Sequence, residues 1–117
     1  MTTPSTTPLS AGDVIQVAFV FTNQAGTKVR PAVVLSSAAF HASRPDLIMM
    51  PLSTKAGGYL GDRVILDWRA AGLPGPSVLK AVIQTIPATS VVSRFGRLGA
   101  ADIQQVKDAL ADIIGIA

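Results

Sequence analysis

The 117-residue chain contains no cysteine and a single histidine, His41. The first absence excludes disulfides, thiol catalysis and thiolate metal sites. The second leaves a Ser-His-Asp triad with one candidate base, and a zinc site with one imidazole to be completed by scattered carboxylates, so neither chemistry has its parts. His41 follows Ser37-Ala38-Ala39-Phe40 in a connection and reads as a surface side chain. No glycine-rich phosphate loop of the Walker or dinucleotide type is present. No apolar run approaches the roughly 20 residues that span a bilayer, so no membrane association is expected. Met1–Ser10 has neither the basic nor the apolar part of an export signal, which predicts a cytoplasmic protein. Residues 1–11 read as a disordered tail ahead of a single domain over 12–117.

Charge is scarce too. Charged residues make up 15% of the chain and hydrophobic ones 49%, against a usual charged share of about 25%. Such a deficit predicts surface hidden by a partner, most simply a second copy. The ten Lys and Arg against seven Asp and Glu leave a formal charge of +3, a bias that permits nucleic-acid binding without requiring it.

What the chain does have is strand formers punctuated by glycine and proline. Val14 to Phe21 predicts a first strand opened by Asp13, and Thr22–Lys28 a polar loop. In Thr27-Lys28-Val29-Arg30-Pro31-Ala32-Val33-Val34-Leu35-Ser36, Pro31 reads as the first residue of a second strand. Its unalternated apolar run predicts burial on both faces. Ala38–Ala42 suggests a helical turn, Leu47–Leu52 a third buried strand, Ala56–Gly61 a flexible loop and Asp62–Leu66 a short strand. Ser77–Ile86 reads as one further strand, and Val91–Phe95 as another. Ile103, Val106, Leu110, Ile113 and Ile114 recur at helical spacing over Ala100–Ile114, with Asp102 in the first turn where a negative charge suits the helix dipole. The expected fold is mainly β with a C-terminal α-helix: a small, curled antiparallel barrel sealed by that helix.

Polar side chains collect at strand ends: Thr27, Lys28 and Arg30; Ser53, Thr54 and Lys55; Ser77 and Lys80. Arg, Lys, Thr and Ser without clustered acids suit the holding of phosphates and the stabilisation of charge in a transition state. No metal or cofactor is expected. For Arg30 and Thr54 to share one mouth of the sheet, curvature must bring opposite strand ends together.

Gly12-Asp13-Val14-Ile15, Phe19-x-Phe21-Thr22, Lys28-x-Arg30-Pro31-Ala32-Val33-Val34-Leu35-Ser36, Pro51-Leu52-Ser53-Thr54 and Gly72-Leu73-Pro74-x-Pro76-Ser77-Val78-Leu79-Lys80, with a closing helix, together resemble the MazF/PemK (Kid-like) family of toxin endoribonucleases. The resemblance implies an SH3-like barrel, a homodimer, metal-independent cleavage of single-stranded RNA at short motifs through a 2′,3′-cyclic phosphate, and a cognate antitoxin partner. It places the catalytic arginine at Arg30 and the catalytic threonine at Thr54. Thr27, Lys28, Ser53, Lys55 and Lys80 fall where RNA is held. Kid-like members carry an acidic residue where this chain has Val82, and Asp62 and Asp67 are the nearest acids available to replace it. The alternatives are a CcdB-like toxin that binds DNA gyrase and cuts nothing, and a degenerate homologue that only binds antitoxin. Base preference would come from stacking and edge contacts on the loops Thr22–Lys28 and Lys55–Gly61.

Overall fold

A computed structural model describes residues 8–20, 27–55 and 57–116. Strand β1 (Asp13–Val20) pairs antiparallel with β2 (Thr27–Val34), from Val14 against Val33 to Val20 against Thr27. That pairing carries β2 back beyond the expected start, so Pro31 lies inside the strand, opposite Gln16. Its missing N–H is tolerated because the ladder to β3 (Asp46–Ser53) begins only at Ala32, against Pro51.

The segment 77–86, expected as one strand, is two. β5 (Val78–Leu79) pairs with Ser53 and Leu52, and β6 (Gln84–Pro87) with Asp46–Met49. The break falls beside Pro51, which has no N–H to offer a neighbour. Residues 80–83 bulge there, Lys80 N–H donating to the Pro51 carbonyl at 2.9 Å and Val82 N–H to the Lys80 carbonyl at 2.8 Å. β4 (Arg63–Val64) adds to β5, and β7 (Val91–Arg97) to β1. The strand order is β4-β5-β3-β2-β1-β7, with β6 also on β3. Among the described residues no pairing joins β7 to β4, so the sheet curls without closing.

Side chains alternate along each strand, which makes two cores. Val14, Val33, Met50, Leu52 and Leu79 face α2 (Ala100–Ile113) and meet its Val106 and Ala109. Ile15, Val17, Ala32, Val34, Leu47 and Met49 form the second core on the other face. The unalternated run after Pro31 is thus buried on both sides, as its composition predicts. Ile103, Leu110 and Ile113 pack against the first core, whereas Ile114, beyond the helix, is half exposed.

Two buried carboxylates hold the elements in place. Asp13 is buried and accepts from Arg94 at 3.1 Å, Arg97 at 3.0 Å and the Ser10 N–H at 2.9 Å. Gly12 before it has φ +95°, and a Cβ there would lie 2.5 Å from Ile103 Cδ1, so this joint requires glycine. Asp102, in the first turn of α2, is 1% exposed. It accepts the N–H groups of Leu66 at 2.7 Å and Asp67 at 2.9 Å, pinning the chain after β4 to α2.

His41, in the short helix α1 (Ala38–Ser43), is not a free surface side chain as its sequence context suggests. Its Nδ1 donates to the Leu9 carbonyl at 2.7 Å, and its Nε2 is hydrogen-bonded to the Ser36 hydroxyl. That hydroxyl also accepts the Ile48 N–H at 2.9 Å. Of the segment read as a tail, residues 1–7 lie outside the described residues, while Leu9 packs against the second core.

Candidate functional site

Antiparallel pairing sets the start of β2 against the end of β3. No curvature is needed, contrary to the sequence-based expectation, since the two ends named there are neighbours in a plain antiparallel pair. Continuing the register two residues from Ala32 and Pro51 puts Arg30 opposite Ser53, with Thr54 and Lys55 following. Arg30 shares the parity of Ala32 and Val34, and Ser53 that of Met49 and Pro51, so both lie on the face of the second core, beyond its edge. On the far flank of β3, Val78 pairs with Ser53, and Lys80 sits beside Pro51 on that same face. Arg30, Ser53 and Lys80 therefore line one face of three adjacent strands.

Arg30 is held at its backbone by pairing with Val17 and is exposed at its side chain. Arg44, Arg63, Arg94 and Arg97 each face a carboxylate, and Arg69 lies over the Trp68 ring. Among the described residues Arg30 alone of the arginines has a side chain with no hydrogen bond, acid or ring partner. A rigidly rooted guanidinium keeps its five donors and permanent charge for something from outside.

Thr54 and Lys55 are exposed in the bend after β3, where the Lys55 N–H donates to Ser53 Oγ at 3.1 Å and turns the chain. Lys28 is exposed on β2 across from Phe19. Thr27 opens β2, but its side chain, with residues 22–26 of the polar loop expected there, lies outside the described residues.

Val82 stands in the bulge between β5 and β6, 49% exposed. Both acids named as its substitutes accept backbone hydrogen bonds. Asp67 accepts the Ala70 N–H at 3.2 Å in a turn. The Asp62 side chain is 6% exposed and accepts from the Ala81 N–H at 2.8 Å, the Tyr59 N–H at 3.4 Å and Lys80 Nζ at 3.4 Å. The Ala81 N–H and the nearby Lys80 ammonium hold its carboxyl below the ordinary value of 3.8, against the opposing effect of burial. The three-glycine loop expected to be flexible is thus tied to a carboxylate.

A depressed folded pKa contributes stability that is complete above the unfolded value and lost as pH falls through the folded one. Wild type is therefore expected to exceed Asp62→Asn in urea midpoint at pH 7. The gap should narrow once the pH drops below about 3.8. A gap that stays constant down to pH 2 would assign the difference to something other than this ionisation.

Two apolar clefts lie elsewhere. One of about 550 Å³ is lined by Leu9, Ala39, His41 and Leu47, and one of about 280 Å³ runs between Val34 and Val106. Neither is lined by Arg30, Thr54 or Lys80. Among the described residues no three His, Asp or Glu converge to hold a metal ion, and no helix is long and apolar enough to cross a membrane.

The sequence model of one family, described as PemK-like, MazF-like toxin of type II toxin-antitoxin system, matches residues 10–114. No curated protein matches the chain by sequence. Among solved structures, the MazE-MazF complex (Form-III) from Deinococcus radiodurans is similar with a TM-score of 0.74 at 24% identity, over 93% of this chain and 98% of that one. An endoribonuclease in complex with its cognate antitoxin, from a mycobacterial species, has a TM-score of 0.69 at 17% identity, covering 93% and 95%. The Mycobacterium tuberculosis toxin MazF-mt6 has a TM-score of 0.67 at 22% identity, covering 83% and 91%. At such identities these likenesses establish the fold.

Proposed function

Because the chain belongs to the PemK-like, MazF-like toxins of type II toxin-antitoxin systems, we propose that it is an endoribonuclease that cuts single-stranded RNA without a metal. The observation that carries this reading is the unpartnered, backbone-anchored Arg30 beside the Ser53-Thr54-Lys55 end of β3. In the reaction, the 2′-oxygen of the RNA attacks the adjacent phosphorus and the 5′-oxygen of the next nucleotide leaves. The products are a 2′,3′-cyclic phosphate and a 5′-hydroxyl. Arg30 neutralises the charge that grows on the phosphoryl oxygens. Its pKa above about 12 makes it a poor proton donor, so its work is electrostatic. Thr54 orients the 2′-hydroxyl or a phosphoryl oxygen. With Val82 in the acid's place and Asp62 engaged by backbone donors, the 2′-proton passes to solvent, and solvent supplies the proton that the leaving 5′-oxygen takes up.

Thr27, Lys28, Ser53, Lys55 and Lys80 hold the flanking backbone. A cognate antitoxin covers the same cationic surface. A homodimer in the cytoplasm hides the exposed Val64, Leu66 and Val92, which are 57–63% accessible.

The test is incubation with single-stranded RNA in chelator. Fragments ending in a cyclic phosphate are expected, and a single 2′-deoxy nucleotide at the cut position should block its cleavage. Cutting that needs magnesium, or that survives the deoxy substitution, would reject the mechanism. Val82 favours one second reading, a gyrase-binding toxin. Intact RNA together with inhibited supercoiling would select it.

A further inference from the structure

Tyr59 is the only tyrosine in the chain, and it is 80% exposed. Its backbone, by contrast, is tied down. The Tyr59 N–H donates to Asp62 Oδ2 at 3.4 Å, and its carbonyl accepts the Asp62 N–H at 3.1 Å. The loop closes so tightly on that carboxylate that a Cβ on Gly57 would lie 2.5 Å from Asp62 Oδ2, and Gly58 takes φ +113°. Lys80 reaches the same Asp62 oxygen at 3.4 Å, and its Nζ lies 5.8 Å from the Tyr59 ring centroid. The result is a ring fixed at its root, open to water and flanked by a cation.

The backbone of Lys80, whose side chain flanks the ring, has a defined place relative to Arg30. Lys80 continues β5 on one side of β3, and Arg30 lies in β2 on the other. Two strand spacings, about 10 Å, separate β2 from β5. An unstacked RNA strand crosses that distance in a couple of nucleotides. The path from Arg30 past Lys55 to Lys80 is cationic, which favours a polyanion, and a polyanion that also carries flat rings uses an exposed tyrosine by stacking.

We infer that Tyr59 is a stacking platform for one base of the bound RNA, flanking the scissile phosphate, and so sets the base preference at that position. The inference rests on the ribonuclease reading above. Within the loop Lys55–Gly61, one of the two expected to set base preference, it narrows that role to one ring held by Asp62.

The test follows binding of the full chain to 2′-O-methyl oligoribonucleotides, which cannot be cut, carrying 2-aminopurine at successive positions. Wild type is expected to quench the probe at one position. Tyr59→Ala should abolish that quenching and weaken binding about tenfold, whereas Tyr59→Phe and Tyr59→Trp keep both. Leu60→Ala, at a neighbour 76% exposed, should bind as wild type does. On cleavable RNA, Tyr59→Ala should raise KM and relax base preference at that single position. Unchanged quenching and affinity in Tyr59→Ala, or an equal loss in Leu60→Ala, overturns the platform and leaves the ribonuclease reading standing. A Tyr59→Ala protein altered only in its oligomeric state by sedimentation also overturns it, assigning the ring to a subunit contact. A wild type that neither binds nor cuts RNA in chelator overturns both readings.

Discussion

Replacing Arg30 with alanine is expected to lower RNA cleavage in chelator by at least about a hundredfold, while the melting temperature stays within about 2 °C of wild type. The two halves of this expectation come from the same fact. The Arg30 side chain is exposed and, among the described residues, bonded to nothing, so its loss removes no contact that supports the fold. The backbone of β2, paired with β1 along its length, holds the position whatever the side chain. What is lost is a preorganised charge where the phosphorane would form. Arg30→Lys should restore only part of the rate, because an ammonium supplies the charge without the planar fork that grips two phosphoryl oxygens. Single-turnover cleavage rates with calorimetry on the same samples check both halves. Undiminished cleavage by Arg30→Ala would remove the residue from the mechanism.

Asp102→Ala is expected to have the largest effect on stability, about 3 kcal/mol, as the Leu66 and Asp67 N–H groups each lose a hydrogen bond to a buried, charged acceptor, worth about 1.5–3 kcal/mol apiece. For a domain of this size that corresponds to a fall in melting temperature of ~10 °C or more. Asp102 is 1% exposed and is the acceptor for both Leu66 and Asp67. It joins a helix near the C-terminus to the segment after β4, two parts of the chain that no sheet pairing connects. Asp102→Asn keeps one acceptor oxygen but turns an NH₂ toward a donor, so it should fall between wild type and alanine. Urea denaturation at pH 7 measures the series. Wild-type stability in Asp102→Ala would show that water replaces the carboxylate freely.

Much of the architecture was legible because it rests on local patterns. Ala32–Leu35 without alternation meant burial on both faces, and two cores flank it. The 3.6-residue spacing of Val106 and Leu110 marked the closing helix. Where the local pattern misled, a neighbouring strand had overridden it. Pro31 looks like a strand start in isolation, yet β1 supplies pairing on its upstream side. The stretch 77–86 looks continuous, yet Pro51, distant in sequence, interrupts the ladder it must join.

The side chains that hold the molecule together were the least legible. Asp102 on a helical wheel is one more polar residue, and only the backbone of Leu66 and Asp67 arriving above it makes it an anchor. His41 likewise acquires its partners from Leu9 and Ser36. By itself the sequence determined the class of fold, the candidate chemistry of arginine, threonine and lysine, and the absence of cysteine and of a second histidine. These follow from residue type and from spacing along the chain. Tertiary structure alone decided that Arg30 lies opposite the end of β3, that Asp62 is engaged by Ala81 and Tyr59, and that the Tyr59 ring is left exposed. Such facts depend on register between strands, and register is settled by the simultaneous burial of both faces of the sheet, which no local window contains.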